Sequence, residues 1–326
     1  PPVKRITPPD IRARKAGEPL VCLTAYDAPM AALLDDHCDL LLVGDSVGMV
    51  VHGLPNTIAV TLDMMILHGQ AVMRGAKRAL VCVDMPFSTY EKSKEQAFDN
   101  AARVLRETGC QAVKVESGVF IADTIRYLAE RAIPVVGHVG LRPQAALAEG
   151  GFKAKGRDEA SRAKVIEEAI AADEAGAFAI VIEGVAEDLA AEITAQVKAP
   201  TIGIGASAKC DGQILVTQDM LGLFEWTPRF VKRYADLKSA MGEGVKAYAE
   251  EVRARRFPGP NEGYAPKRGG SRRAARGRGV LRAFRRAARV RRDNDLPVWS
   301  TVLVDVFDEV EEELRKERYQ ALLRQW

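Results

Sequence analysis

Several charged side chains stand directly after short apolar runs, where a parallel strand would deliver them to one rim. Asp45 and Ser46 follow Leu40–Gly44, Asp84 follows Ala79–Val83, and Glu116 follows Ala112–Val115. His138 closes Pro134–His138 and Glu183 follows Ala177–Ile182. Taken singly, Asp45 reads equally well as a helix cap, His138 as a core histidine and Glu183 as half of an ion pair. As a set on neighbouring strands they read as chemistry. Asp45, Asp84 and Glu116 form a cluster of hard oxygen donors whose like charges would raise one another's proton affinity. A divalent cation relieves that repulsion, and magnesium suits best because it binds through few carboxylates and keeps room for water and substrate oxygens. Lys114 lies two residues before Glu116, so both share one face of a strand. Its ammonium would complement a substrate carboxylate there, or else pair with Glu116. Glu183 beside such a metal would serve as a proton acceptor.

The elements that must carry these residues follow a regular alternation. Eight apolar runs are present, the five above together with Leu20–Ala25, Pro200–Gly205 and Gln213–Val216. Mostly continuous rather than alternating, they suit strands covered on both faces. Helical spacing fills Ala28–Cys38, Leu62–Gly75, Lys92–Thr108, Ala122–Arg131, Asp158–Ala175 and Ala186–Val197. Strand and helix repeated to eight predict an α/β fold, a (β/α)8 TIM barrel with its active site at the carboxyl ends of the strands. An open nucleotide-binding sheet is disfavoured, since the first turn reads Ala25-Tyr26-Asp27-Ala28 rather than G-x-G-x-x-G. No G-x-S-x-G nucleophile segment occurs. Gly150-Gly151-Phe152-Lys153 reads as a mobile loop able to cover the site, or as an ordinary turn.

Composition narrows the class. Of 326 residues 47% are hydrophobic, enough for a sizeable core, yet no apolar run approaches the ~20 residues of a membrane span. Five scattered cysteines without a C-x-x-C pair read as reduced core residues, which points to the cytoplasm. The net charge of +3 hides a split: twelve basic and no acidic residues in 267–292, then nine acidic and four basic in 293–326. The expected organisation is therefore a barrel domain over 1–264, a basic Arg/Gly/Ala-rich disordered linker over 265–292 and an acidic helical tail over 293–326. The basic stretch has one aromatic, Phe284, and no reading motif, so nucleic acid is a minor alternative partner.

The body also resembles the ketopantoate hydroxymethyltransferase family. Collinear segments carry the likeness: Leu23-Thr24-Ala25-Tyr26-Asp27, Leu42-Val43-Gly44-Asp45-Ser46, Val60-Thr61-Leu62-Asp63, Asp84-Met85-Pro86-Phe87, Val113-Lys114-Val115-Glu116, Gly137-His138-Val139-Gly140-Leu141, Gly150-Gly151-Phe152-Lys153 and Gly203-Ile204-Gly205-Ala206 with Cys210-Asp211-Gly212-Gln213. Ser207 departs from the family's usual glycine. The resemblance implies transfer of a hydroxymethyl group from 5,10-methylenetetrahydrofolate to 3-methyl-2-oxobutanoate, the first step of pantothenate synthesis. It further implies Mg2+ held by Asp45 and Asp84 with Glu116 completing its surroundings, substrate contacts from Asp45, Ser46, Asp84, Lys114 and His138, and Glu183 as the base. A homo-oligomer, a decamer in the family, is implied as well. The runner-up is a Mg2+-dependent lyase or mutase of the isocitrate lyase and phosphoenolpyruvate mutase group, whose Lys-Lys-Cys-Gly-His segment is missing from this sequence.

Overall fold

The computed structural model describes residues 4–264. Eight parallel strands close into one barrel in chain order. They are β1 Leu20–Thr24, β2 Leu40–Val43, β3 Leu80–Asp84, β4 Ala112–Glu116, β5 Val135–Gly140, β6 Ala179–Glu183, β7 Thr201–Ile204 and β8 Gly212–Leu215. The helices are α1 Pro8–Arg12, α2 Ala28–Leu34, α3 Val47–Val50, α4 Leu62–Gly75, α5 Lys94–Thr108, α6 Ala122–Glu130, α7 Ala146–Glu149, α8 Glu159–Glu174, α9 Glu187–Gln196, α10 Thr217–Met220 and α11 Leu237–Arg253. The TIM barrel expected from the alternation is the fold found.

Local chemistry explains where the helices begin. Asp27, Thr61, Ser93 and Asp158 each cap a helix by accepting a backbone N–H from its first turn. The period of two along each strand then sorts side chains into two layers. Leu41, Val43, Val81, Val83, Val113, Val115, Ile180 and Ile182 pack outward against the helices. Leu20, Cys22, Leu40, Leu42, Leu80, Cys82, Ala112, Val136, Ala179, Val181, Ile202 and Ile214 fill the barrel interior. All five cysteines are buried and unpaired, as expected of core residues.

Aspartates stitch the amino-terminal rim. Asp35 accepts the backbone N–H groups of Lys77, Arg78 and Ala79, and Asp173 those of Lys198 and Ala199. The join between β7 and β8 is short, with only Ile202↔Gly212 and Gly203↔Gln213 in register. Asp211 reinforces it, taking N–H bonds from Thr201 and Ala16 at 2.8 Å each and pairing with Lys15 Nζ at 2.9 Å.

Contacts divide the chain after Arg256. The basic segment 265–292 and the acidic segment 293–326, expected as linker and helical tail, lie outside the described residues. Among the described residues no helix is long and apolar enough to cross a membrane.

Candidate active site

The same alternation that buries Leu80 and Cys82 inside the barrel carries on to Asp84, the last residue of β3. Ala112 leads in the same way to Lys114 and Glu116, Val136 to His138, and Ala179 and Val181 to Glu183. Parallel register sets Asp84 beside Lys114 and Glu116 beside His138. Asp45 and Ser46 come from the turn between β2 and α3. The sequence-predicted residues thus share the carboxyl-terminal mouth of one arc, β2 to β6. His138 sits two residues inside β5 rather than at its end, because β5 runs on to Gly140 beside Glu183. Gly140 has φ +94°, and a Cβ there would stand 2.3 Å from the Glu183 carbonyl oxygen, so only glycine fits.

Hydrogen bonds and ion pairs tie the arc together. Asp84 Oδ2 accepts the Asp45 backbone N–H at 2.9 Å, and Asp84 Oδ1 lies 3.0 Å from Lys114 Nζ. Lys114 Nζ is also 3.2 Å from His138 Nδ1. An ammonium offers only donors, so Nδ1 must accept and Nε2 must carry the imidazole hydrogen. That nitrogen faces Glu183 Oε2 at 3.3 Å. Tyr26 Oη and Ser46 Oγ are 2.8 Å apart, which fixes the serine hydroxyl at the rim.

Crowding sets the charge states. Burial, with the Asp84 charge second, pushes the Asp45 carboxyl up to about 7, against the opposing pull of Lys114 and Gln144. Burial and then Asp45 push Glu116 up to about 9. Burial works against the Lys114 ammonium, but Asp84, Asp45 and Glu116 outweigh it and hold the lysine charged. Burial and the neighbouring Lys114 lower the His138 pKa, which keeps the ring neutral.

Two buried carboxyls with raised proton affinity, and an Asp84 Oδ1 that is buried without an aligned hydrogen bond, are what a hard cation would relieve. Among the described residues, however, no three acidic, histidine or cysteine side chains converge tightly enough to wrap an ion by themselves. The donors therefore fit a cation that takes one or two carboxylates directly and fills its shell with water and substrate, as magnesium does. They do not fit a closed cage.

Two functional residues escaped the sequence reading. Gln144, in the turn after β5, donates from Nε2 to Asp45 Oδ2 at 2.8 Å and to the Met85 carbonyl at 3.0 Å. Its backbone N–H donates to Glu116 Oε1 at 3.0 Å. Tyr90 donates its hydroxyl hydrogen to Gln144 Oε1 at 2.7 Å. Neither residue is charged, and nothing in the local sequence marks either side chain as facing the mouth. The Gly150–Lys153 loop is tied at its ends, since Glu149 bonds both Arg142 and Lys155.

A cluster of oxygen donors, a charged lysine and a neutral histidine at the carboxyl-terminal mouth of a (β/α)8 barrel defines a barrel enzyme for a small anionic substrate. Comparison with known proteins gives the family. The model of the ketopantoate hydroxymethyltransferase family matches residues 5–260. The 3-methyl-2-oxobutanoate hydroxymethyltransferase of Maricaulis maris is 72% identical over 265 residues, covering 81% of this chain and 95% of that one. That of Phenylobacterium zucineum is 70% identical over 82% of this chain and 97% of its own. The chain belongs to the ketopantoate hydroxymethyltransferase family. Among solved structures, a phosphonopyruvate hydrolase in complex with oxalate and Mg2+ aligns with a TM-score of 0.52 at 12% identity, over 80% of this chain and 93% of that one. A 2,3-dimethylmalate lyase aligns at 0.50 and 16%, over 79% and 92%. At such identities these two share the fold alone, so the lyase or mutase alternative gains a common architecture and nothing more.

Proposed function

We propose that this chain transfers a hydroxymethyl group from 5,10-methylenetetrahydrofolate to 3-methyl-2-oxobutanoate, giving 2-dehydropantoate. The observation that carries the reading is the arc Asp84–Lys114–His138–Glu183, lying inside the barrel beside Asp45 and Glu116. Asp45 and Asp84 would hold a magnesium ion, with Glu116 completing its surroundings. Bound there, the ion would polarise the substrate ketone and make the adjacent C3–H more acidic. Lys114 receives the substrate carboxylate, and Ser46, held by Tyr26, lines the same mouth. Glu183 takes the C3 proton, and its second oxygen is free to do so because Oε2 is the one facing His138. The neutral His138 turns its Nε2–H toward Glu183 Oε2 and so orients the carboxylate. Water releases the one-carbon unit from the folate at the oxidation level of formaldehyde, tetrahydrofolate leaving with its two nitrogens protonated. The carbanion adds to that carbon, and the oxygen takes a proton to become the hydroxyl.

The family analogy extends to a cytoplasmic homo-oligomer of decameric size. In support of association, α11 buries none of its residues and exposes Met241, Val245 and Val252.

The test is Glu183→Gln. Removing a general base costs about 10²–10⁴-fold in rate. The variant should therefore bind Mg2+ and keto acid but lose most deuterium exchange at substrate C3, followed by NMR in D2O. Exchange at the wild-type rate would strip Glu183 of the base role.

A further inference from the structure

The carboxylates at the mouth are not held by one another, since crowding alone would drive them apart. What spans them is an uncharged residue. Gln144 spends both side-chain N–H groups on acceptors from two different strands' turns, Asp45 Oδ2 at 2.8 Å and the Met85 carbonyl at 3.0 Å. Its backbone N–H holds Glu116 Oε1 at 3.0 Å. The amide cannot be turned over, because Tyr90 accepts the Glu116 backbone N–H at 3.2 Å and so directs its single hydroxyl hydrogen at Gln144 Oε1, 2.7 Å away. Tyr90 is itself 2% exposed and Gln144 9%, so water does not compete for these bonds.

We propose that Gln144 is a positioning residue that presets Asp45 and Glu116 for a divalent cation, with Tyr90 locking the orientation of its amide. The inference rests on the metal site proposed above. Its physical content is pre-organisation. One oxygen of each carboxylate is occupied by Gln144, so the other is offered to a cation at a fixed place, and neither side chain must be ordered when the ion arrives. Partners of this kind, one bond removed from the ion, typically govern about 10–100-fold in metal affinity.

Two substitutions test it, read first by Mn2+ binding in the absence of substrate, using electron paramagnetic resonance of the free ion. Gln144→Leu keeps the volume and removes both side-chain donors; it should weaken Mn2+ by about 10–100-fold. Tyr90→Phe leaves the amide free to rotate and should weaken Mn2+ in the same direction by less. Because the two act through one bond chain, the double variant should bind no more weakly than Gln144→Leu alone. In turnover, Gln144→Leu should regain most of its kcat once Mg2+ is raised, with only the half-saturating Mg2+ concentration displaced. Wild-type protein that binds Mn2+ alongside variants that bind it equally well would sink the positioning role and spare the metal site. Wild-type protein that fails to bind Mn2+ would sink both. Fully additive losses, or a kcat that excess Mg2+ cannot restore, would reduce Gln144 to a packing residue. Should Gln144→Leu fail to fold, Tyr90→Phe decides alone, and its binding Mn2+ like the wild type overturns the proposal.

Discussion

Replacing Lys114 with methionine removes one positive charge and almost no volume from the middle of the carboxylate arc. The lysine is 6% exposed and Asp84, 3.0 Å from its ammonium, 3% exposed, so the change strands a buried carboxylate. Breaking one side of such a pair costs about 3–5 kcal/mol. In a barrel of this size each kcal/mol lowers Tm by about 2–4 °C, giving a fall of about 6–20 °C for the metal-free protein. Asp45 and Glu116 lose the same counter-charge, so the cluster becomes more negative and its attraction for a dication grows. Added Mg2+ should then raise Tm more in Lys114→Met than in the wild type; an ion present at 100 times its dissociation constant returns about 2.7 kcal/mol. Keto-acid binding should move the opposite way and vanish, since the group facing the substrate carboxylate is gone. Thermal unfolding with and without Mg2+, paired with calorimetric titration of 3-methyl-2-oxobutanoate, reads both. An unchanged Tm, or a keto acid bound as tightly as before, would refute the placement of Lys114 between substrate and carboxylates.

Three further outcomes are expected. Gly140→Ala forces a side chain onto a φ of +94° with a Cβ 2.3 Å from the Glu183 carbonyl, so stability should fall by about 2–5 kcal/mol and C3 exchange with it, by melting and NMR. Asp211 is pressed upward by burial, but the N–H bonds from Thr201 and Ala16 and the Lys15 ammonium hold its pKa below the usual 3.8. Its folded value being the lower one, its stabilisation is full above the ordinary carboxylate range and fades as pH drops through the folded value. The Tm gap between wild type and Asp211→Asn should accordingly be wide at neutral pH and narrow below about 4, whereas a gap independent of pH would remove the carboxylate from that role. Deleting residues 266–326 should leave transferase activity intact, because the family match ends at residue 260; a dead enzyme would give the tail a catalytic share.

The barrel was legible because most of its strands are sheathed on both sides, which writes them as largely continuous apolar runs such as Leu40–Val43, Leu80–Val83 and Ala179–Ile182. The ends were less so. Helix α2 was read to Cys38 yet stops at Leu34, since Asp35 turns its carboxylate to the backbone N–H groups of Lys77, Arg78 and Ala79 instead of prolonging the helix. Likewise β5 was read only to His138, the two glycines that flank Val139 and His138 concealing its extension beside Glu183. The charged members of the site could be found because a titratable group after an apolar run is conspicuous. Gln144 could not: an amide in a turn is ordinary, and its partner Asp45 lies 99 positions away in the chain. Only closure of the ring brings those two together.

That ring is not uniform around its circumference. Its shortest join, β7 to β8, is held by two register pairs and the Asp211 stitch, on strands that contribute none of the acidic arc. A closed barrel that loosens under heat opens where its ladder is thinnest. Thermal breathing should then be largest in a quarter that carries none of the acidic arc, and hydrogen exchange of Ile202 and Gly203 should outpace that of Lys114 and Val115. Substitutions that lengthen this ladder are therefore the ones expected to raise heat tolerance most for the least change to the acidic arc.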